Sequence, residues 1–225
     1  KQAEVTPVYS PADQAYKLGV WIRDSIQGIG TVTFFDEETD RFGALGHGVY
    51  DVDTGGLMSL KQGHITASKL TEIVKGQKGE PGELSGYLAS DQVLGEIEKN
   101  TEIGIYGTAD TEFFTGDSYP IALQGEIHEG EAEILSNIAG DTVEAYEIEI
   151  EKVNHYGKEE QKGMVIHVTD PRLLEQTGGI VQGMSGSPIL QDGKLIGAVT
   201  HVFVQDPTRG YGIFIENMLE EERAA

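Results

Sequence analysis

The stretch Gly183-Met184-Ser185-Gly186-Ser187-Pro188 is a tight turn rich in glycine, and the apolar pair Ile189-Leu190 follows it directly. Glycine adopts backbone angles that a Cβ atom forbids, so the turn can be sharp and can present the Ser185 hydroxyl outward. Such a turn also aims the amides of Gly183 and Ser185 at one point, as in an oxyanion hole. The stretch therefore predicts a nucleophilic serine just before a strand, although ordinary Gly/Ser/Pro loops share this composition.

Short runs typical of β-strands recur throughout the rest of the chain. Residues 30–35 and 41–46 flank an acidic turn and predict a hairpin whose second strand delivers His47. Further strands are expected at 19–23, 63–67, 84–88, 104–106, 121–123, 132–135, 143–153, 163–167, 194–203 and 212–215. Only 172–176 and 216–223 have a helical pattern, with one helical turn expected around 11–16. Many short strands separated by turn signals predict a mainly β sandwich or barrel.

Two segments carry further local predictions. Residues 1–18 are polar, contain Pro7 and Pro11, and are expected to form an N-terminal arm before the folded domain at 19–225. Residues 143–153 alternate apolar and acidic side chains, and the alternation changes phase near Tyr146. A change of phase of this kind predicts a β-bulge.

The composition excludes several classes of function. The net charge of −22, from 16 basic and 38 acidic residues, argues against binding to nucleic acid or to an anionic membrane surface. The absence of cysteine excludes disulfides, thiolate metal sites and a cysteine nucleophile. No apolar run approaches the ~20 residues of a membrane helix, and the start at Lys1-Gln2-Ala3-Glu4 suggests a fragment of a longer parent.

A nucleophilic serine needs a base within hydrogen-bonding reach. Of the six histidines, His47 is the preferred base, because it ends a predicted strand between two glycines that let backbone and solvent approach it. His201 follows the strand after the Ser185 turn and is the second choice, as a secondary or substrate-contacting residue. The remaining histidines are expected to be structural or solvated; they are His64, His128, His155 and His167.

The group that orients the base has several candidates. Asp170 ends a predicted strand before Pro171, and Asp91 follows His47 at a spacing like that of the chymotrypsin template. The pair Asp51/Asp53 is a third possibility, and spacing alone does not decide among them. No metal or cofactor motif is present, and the pattern from Asp51 to Gly55 favours a turn over an oxygen cage for a cation.

Four motifs in combination resemble SpoIVB, the stage IV sporulation serine peptidases of endospore-forming bacteria, over residues 19–219. They are Phe42-Gly43-Ala44-Leu45-Gly46-His47, Asp51-Val52-Asp53-Thr54, Gly183-Met184-Ser185-Gly186-Ser187-Pro188 and Gly210-Tyr211-Gly212-Ile213-Phe214-Ile215. The resemblance implies a trypsin-like double β-barrel with few short helices and a boundary between the lobes at roughly 110–120. It also implies Ser185 as nucleophile, His47 as base and Asp170 as orienting acid, and His201 falls on a histidine position of the family.

The resemblance carries expectations about partners and location. It implies export from the forespore into the space between the two membranes that separate it from the mother cell. The expected substrates are a membrane-tethered regulator of an intramembrane protease, whose release activates a sigma factor, and the chain itself near its N-terminal region. SpoIVB-like proteins also carry a membrane-targeting segment and a PDZ domain ahead of the peptidase, and this sequence matches neither.

Two alternatives remain open at this stage. The first is a peptidase-like module that binds a partner protein without cutting it, and the second is a small-molecule esterase with the same chemistry. Under the peptidase hypothesis the strand over 195–202 is the expected edge for an added substrate strand. Met184 stands where trypsin-like zymogens keep an aspartate, so activation by a salt bridge to a new N-terminus is excluded.

Overall fold

The computed structural model describes residues 4, 6–17, 26–114, 116–138, 140 and 142–224, with only the backbone at Ser90 and Asp91. The strand expected at 19–23 lies outside these residues. The strands are β1 Val8–Ser10, β2 Ala15–Lys17, β3 Val32–Asp36, β4 Arg41–Ala44, β5 Gly63–Val74, β6 Glu83–Thr101, β7 Gly104–Ala109, β8 Gly130–Ser136, β9 Glu144–Val153, β10 Met164–Val168, β11 Pro188–Gln191, β12 Lys194–Phe203 and β13 Asp206–Phe214. The α-helices are α1 Pro171–Thr177 and α2 Ile215–Arg223.

The N-terminal lobe is a five-stranded antiparallel sheet in the order β3-β4-β7-β6-β5. The predicted hairpin is part of this sheet, because β3 pairs with β4 across the acidic turn. Phe42, Ala44 and Ile105 are buried in its core, where burial of apolar surface stabilises the sheet. Strand β4 ends three residues before His47, so this lobe carries the expected base.

The C-terminal lobe is a closed six-stranded barrel in the order β10-β13-β12-β11-β8-β9. Tyr146, Ile148 and Ile150 on β9 point into the barrel and alternate with glutamates on the outside, as a half-buried strand requires. The bulge expected near Tyr146 is wrong, because β8 and β9 pair there without interruption. The irregularity lies instead at Glu151, where β9 pairs with β10.

The mainly β, two-lobed prediction is confirmed, and both predicted helices are present as α1 and α2. The resemblance implies two barrels; among the described residues the second lobe closes into a barrel, and the first lobe is a sheet whose end strands β3 and β5 do not pair. The helical turn expected around 11–16 is wrong: residues 8–17 form a β-hairpin in which Val8 pairs with Lys17. No helix in the described part of the chain is long and apolar enough to span a membrane.

The two lobes meet at the Ser185 turn. The Thr31 amide donates to the Ser185 carbonyl at 3.0 Å, and the Thr33 hydroxyl donates to the Gly186 carbonyl at 2.8 Å. A second contact comes from the start of β6, where the Leu84 amide donates to the Gln182 carbonyl at 2.8 Å. The first lobe therefore holds the residues on both sides of the serine.

Candidate active site

The Ser185 turn has the sharp backbone that its glycines predict. Gly183 and Gly186 have φ values of +99° and +93°, a region that L-residues rarely adopt. A Cβ atom on Gly186 would lie 2.1 Å from the Thr31 carbonyl oxygen and 2.6 Å from the Leu45 nitrogen. Only glycine fits at Gly186, and its closeness to Leu45 brings the serine turn against the segment that carries His47.

The amides of this turn fall into two groups. Those of Met184, Gly186 and Ser187 donate to backbone carbonyls at 2.8–3.1 Å. Those of Gly183 and Ser185 have no acceptor among the residues that the structure describes. Buried or half-buried amides normally have a hydrogen-bond partner. Since these two have none within the described part of the chain, their N–H groups are available to donate to a ligand. These are the two donors that the sequence suggests for an oxyanion hole.

His47 is half-buried and follows two residues in the left-handed region, Leu45 at φ +71° and Gly46 at φ +67°. A Cβ atom on Gly46 would lie 3.0 Å from side-chain atoms of Ile213 and Thr200, so this turn rests on the barrel. The His47 Nδ1 atom lies 2.9 Å from the Gly48 carbonyl oxygen. A carbonyl only accepts, so Nδ1 carries the proton and Nε2 is free to act as a base.

Thr200 lies between the serine and the histidine. The Ser185 hydroxyl donates to the Thr200 carbonyl at 2.8 Å, while the Thr200 methyl group faces Gly46 on the histidine side. Ser185 and His47 are not hydrogen-bonded to each other in this arrangement. The Ser185 hydroxyl therefore has to leave the Thr200 carbonyl before another group can accept its proton, and such changes are common between resting and substrate-bound sites.

His201 is beside His47, with the ring centroids 5.1 Å apart. A β-bulge in β12 places it there. Val199 pairs with Gly212 and Val202 pairs with Gly210, so Thr200 and His201 lie opposite the single residue Tyr211. Desolvation by the surrounding protein is the largest cause that lowers the pKa of His201 to about 4, and the charges of His47 and Lys162 add to it. His201 is therefore a neutral imidazole at pH 7, and its role as a secondary site residue stays a prediction.

Asp170 has other partners than the histidine. It is the N-cap of α1, where its carboxylate accepts from the amides of Arg172 at 2.8 Å and Leu173 at 3.4 Å, and from the Glu147 amide at 3.3 Å. The Arg172 guanidinium forms an ion pair with it at 2.8 Å. The structure does not bring Asp170 to His47, so its role as orienting acid stays a prediction of the resemblance without a contact that supports it.

The observed contacts predict a structural effect for Asp170→Asn. The Arg172 side chain, more than the backbone amides, lowers the pKa of Asp170 to about 2. A carboxyl group whose pKa is lowered by folding stabilises the fold at any pH above its pKa in the unfolded chain, which is about 4. This contribution is lost as the pH falls from about 4 towards 2. We expect the free energy of unfolding at pH 7 to fall by about 1–2 kcal/mol, discounted for the exposure of Arg172. Urea unfolding from pH 7 to pH 3 should show the difference from wild type shrinking.

Activity separates this structural role from the one that the resemblance implies. With a structural Asp170, the folded Asp170→Asn protein reacts with an active-site serine probe at the wild-type rate. A loss of reactivity of 100-fold or more in folded protein would restore Asp170 to the catalytic group and contradict the structural interpretation.

The other acidic candidates are resolved only in part. The side chain of Asp91 lies outside the described residues. Asp51 accepts from the amides of Asp53 and Thr54 and from the Thr54 hydroxyl, at 2.8–3.1 Å, which is the turn that the sequence favoured. In the described residues no group of three or more His, Asp or Glu side chains is placed to hold a metal ion.

The edge expected for substrate is narrower than the sequence suggested. Gly197 and Ala198 on β12 pair with both β11 and β13, and Leu195 pairs with β11 on one side and with Ile121 on the other. No strand can be added to this part of β12, so this part of the prediction is wrong. From Thr200 to Phe203 the side towards β11 has no partner among the described strands. This open segment begins at the residue that accepts the Ser185 hydroxyl.

Sequence reasoning missed two contributors to the site. The Gly48 carbonyl holds His47, and the Thr200 carbonyl holds Ser185. Backbone carbonyls leave no mark in the side-chain pattern. The glycine after His47 predicts a close approach of the backbone, but not that its carbonyl holds the imidazole.

These features together define the class of protein: the chain is a serine-type peptidase built on two β lobes. More particularly, it belongs to the SpoIVB peptidase S55 family, whose model matches residues 14–219. No curated protein matches the chain.

Two solved structures show limited similarity to the chain. One is the crystal structure of Rv3671c from M. tuberculosis H37Rv, a serine-to-alanine mutant in an inactive form. It is 13% identical with a TM-score of 0.42, over 73% of this chain and 81% of that one. The other is a serine-to-alanine variant of the HtrA-type protease AlgW with a tripeptide, 13% identical with a TM-score of 0.39, over 68% of this chain and 57% of that one.

Proposed function

We propose that this peptidase is a serine endopeptidase in which Ser185 is the nucleophile and His47 Nε2 is the general base. His47 takes the hydroxyl proton as Ser185 Oγ attacks the scissile carbonyl, and later gives that proton to the leaving amine. Water, deprotonated by the same base, then releases the acyl group. The free amides of Gly183 and Ser185 carry the proposal, because they can stabilise the oxyanion of each tetrahedral intermediate.

The open edge of β12 supports a protein as substrate. An extended peptide can add to the segment from Thr200 to Phe203 through main-chain hydrogen bonds, and this places its scissile bond beside the Ser185 turn. The charge of −22 disfavours nucleic acid and anionic membrane surfaces as partners. The proposed substrate is therefore an unfolded segment or a loop of a protein.

The family match supports a role in sporulation signalling. The proposed substrates are a membrane-tethered regulator of an intramembrane protease, whose cleavage leads to sigma-factor activation, and the chain itself. The proposed location is the space between forespore and mother cell, reached by export of a membrane-associated parent. The motifs shared with SpoIVB peptidases support these statements.

Identification of new protein termini tests the substrate. Membranes from sporulating cells that lack their own copy of the peptidase are incubated with the chain or with Ser185→Ala, and new N-termini are identified by mass spectrometry. We expect the wild type alone to create a new terminus in the external domain of a membrane-anchored protein and one near its own N-terminal end. New termini absent from a sample whose Ser185 reacts with a fluorophosphonate would indicate an esterase. Absence of both would indicate a binding module.

A further inference from the structure

The orientation of His47 depends on a single peptide group, the one that joins Gly48 to Val49. Its carbonyl oxygen lies 2.9 Å from His47 Nδ1. Its N–H belongs to Val49 and donates to Asn100 Oδ1 at 2.8 Å. Because a peptide group is planar and its C=O and N–H point in opposite directions, the two bonds form one continuous chain from Asn100 through the peptide to the imidazole.

The Asn100 side chain makes two further hydrogen bonds to backbone. Its Nδ2 group donates to the Val49 carbonyl at 2.8 Å and to the Met58 carbonyl at 3.0 Å. These three bonds use both Nδ2 hydrogens and one of the two lone pairs of Oδ1. Three partners of fixed type also settle which atom is oxygen and which is nitrogen. Asn100 therefore ties the segment after His47 to β6 on the neighbouring part of the lobe.

Gly48 is held from the other side as well. Its amide donates to the Glu102 carbonyl at 3.0 Å. A Cβ atom at this position would lie 2.3 Å from the Thr101 carbonyl oxygen and 2.5 Å from Leu57 Cδ1. The peptide that contacts His47 thus has little freedom to rotate while Asn100 and the turn at Thr101 are in place.

We propose that Asn100 is a positioning residue for catalysis, which holds the Gly48–Val49 peptide so that its carbonyl keeps His47 in the Nδ1-protonated tautomer. This inference rests on the proposed role of His47 as base. In other serine peptidases an acid fills this orienting role, and loss of the correct tautomer lowers kcat by about 10⁴-fold. A hydrogen bond to the peptide N–H also polarises its carbonyl and strengthens the bond to the imidazole.

Gln191 offers a matched control in the same chain. Its carboxamide accepts from the His128 amide and donates to the carbonyls of His128 and Glu131, at 3.0–3.2 Å. Asn100→Ala and Gln191→Ala thus each remove three bonds from a side-chain amide to backbone. The difference is that the bonds of Gln191 hold the backbone at His128 and Glu131 and do not connect to His47 or Ser185.

The experiment compares both variants with wild type by two readouts. Nitrogen-15 NMR of the histidine side chains reports the His47 tautomer and needs no substrate turnover. The His47 signals are assigned by their loss in His47→Gln. The rate of fluorophosphonate labelling at Ser185, per folded molecule, reports reactivity. We expect Asn100→Ala to give mixed His47 tautomers and a 10- to 100-fold slower labelling, whereas Gln191→Ala keeps wild-type values of both. Asn100→Asp keeps an acceptor for the Val49 amide but loses both donors and places a carboxylate against the Val49 and Met58 carbonyls, so it should also give mixed tautomers.

Each outcome has a defined meaning. An unchanged His47 tautomer in Asn100→Ala, or the same labelling rate in Asn100→Ala and Gln191→Ala, would overturn the role of Asn100. If Asn100→Ala does not fold, Asn100→Asp and Asn100→Ser carry the test, and an unchanged His47 tautomer in both variants would overturn the proposal. Wild-type protein that is not labelled refutes the proposed function, while the tautomer measurement still decides the role of Asn100.

Discussion

Ser185→Ala lowers peptide hydrolysis by at least about 10⁴-fold, because it removes the group that forms the acyl-enzyme. The fold should remain, since the lost hydroxyl makes one hydrogen bond, to the Thr200 carbonyl, and the glycines that shape the turn are unchanged. The loss is measured as kcat/KM on a protein substrate or on quenched peptides, with the thermal midpoint measured alongside.

Ser187→Ala is the matched control, two residues away in the same turn. The Ser187 side chain is fully buried, and its hydroxyl has no hydrogen-bond partner among the described residues. Removal of an unpaired buried hydroxyl is expected to be neutral or slightly stabilising, and activity should stay within about twofold of wild type. Equal activity losses in Ser185→Ala and Ser187→Ala would contradict the assignment of the nucleophile.

Gly186→Ala has the second-largest expected effect. The added Cβ would overlap the Thr31 carbonyl at 2.1 Å, and the φ of +93° is itself unfavourable for alanine. Either the Ser185 turn or the segment before β3 must move, which separates the serine from the residues that carry His47. We expect a loss of about 3 kcal/mol or more in the free energy of unfolding and at least 100-fold slower labelling of the protein that stays folded.

Gly193→Ala separates the two causes. Gly193 also has a positive φ, +73°, in the two-residue turn between β11 and β12, but a Cβ atom there would meet nothing within 4 Å. This variant should lose only about 1 kcal/mol from backbone strain and keep its labelling rate. Similar losses of reactivity in both variants would show that the close packing at Gly186 does not position the serine.

The nucleophile turn and the hairpin that leads to His47 could be predicted because their signals are local. Glycines at Gly183 and Gly186 mark a sharp turn wherever they occur, and β-branched and aromatic residues on both sides of an acidic turn mark a hairpin. The contacts of the turn with Thr31 and Leu45 join segments about 140 residues or more apart in sequence. No periodicity reveals them, so the sequence suggested the site without its packing.

Asp170 is a residue for which the local sequence signal predicts one role and the family resemblance implies another. The sequence Asp170-Pro171-Arg172 at the start of a predicted helix is a typical N-cap followed by proline at the first helical position. The structure uses it in this way. The resemblance implies a catalytic role for the same acid, and that role stays a prediction, because a triad is defined by geometry that sequence does not contain.

The group that does orient His47 could not have been found from side-chain patterns. It is a backbone carbonyl, fixed by an asparagine 51 residues away from the peptide that it holds. The sequence also could not show that β3 and β5, the end strands of the first described sheet, do not pair with each other, because strand counts do not say whether a sheet closes.

The central claim, an activated Ser185 served by His47, is tested most directly by mapping the adduct of a fluorophosphonate on the wild-type chain. Trypsin releases Ser185 and Ser187 on one peptide, and fragmentation by mass spectrometry separates them. The account predicts a single adduct on Ser185 that disappears in His47→Gln. An adduct on any other residue, or labelling of Ser185 that persists unchanged in His47→Gln, would contradict it.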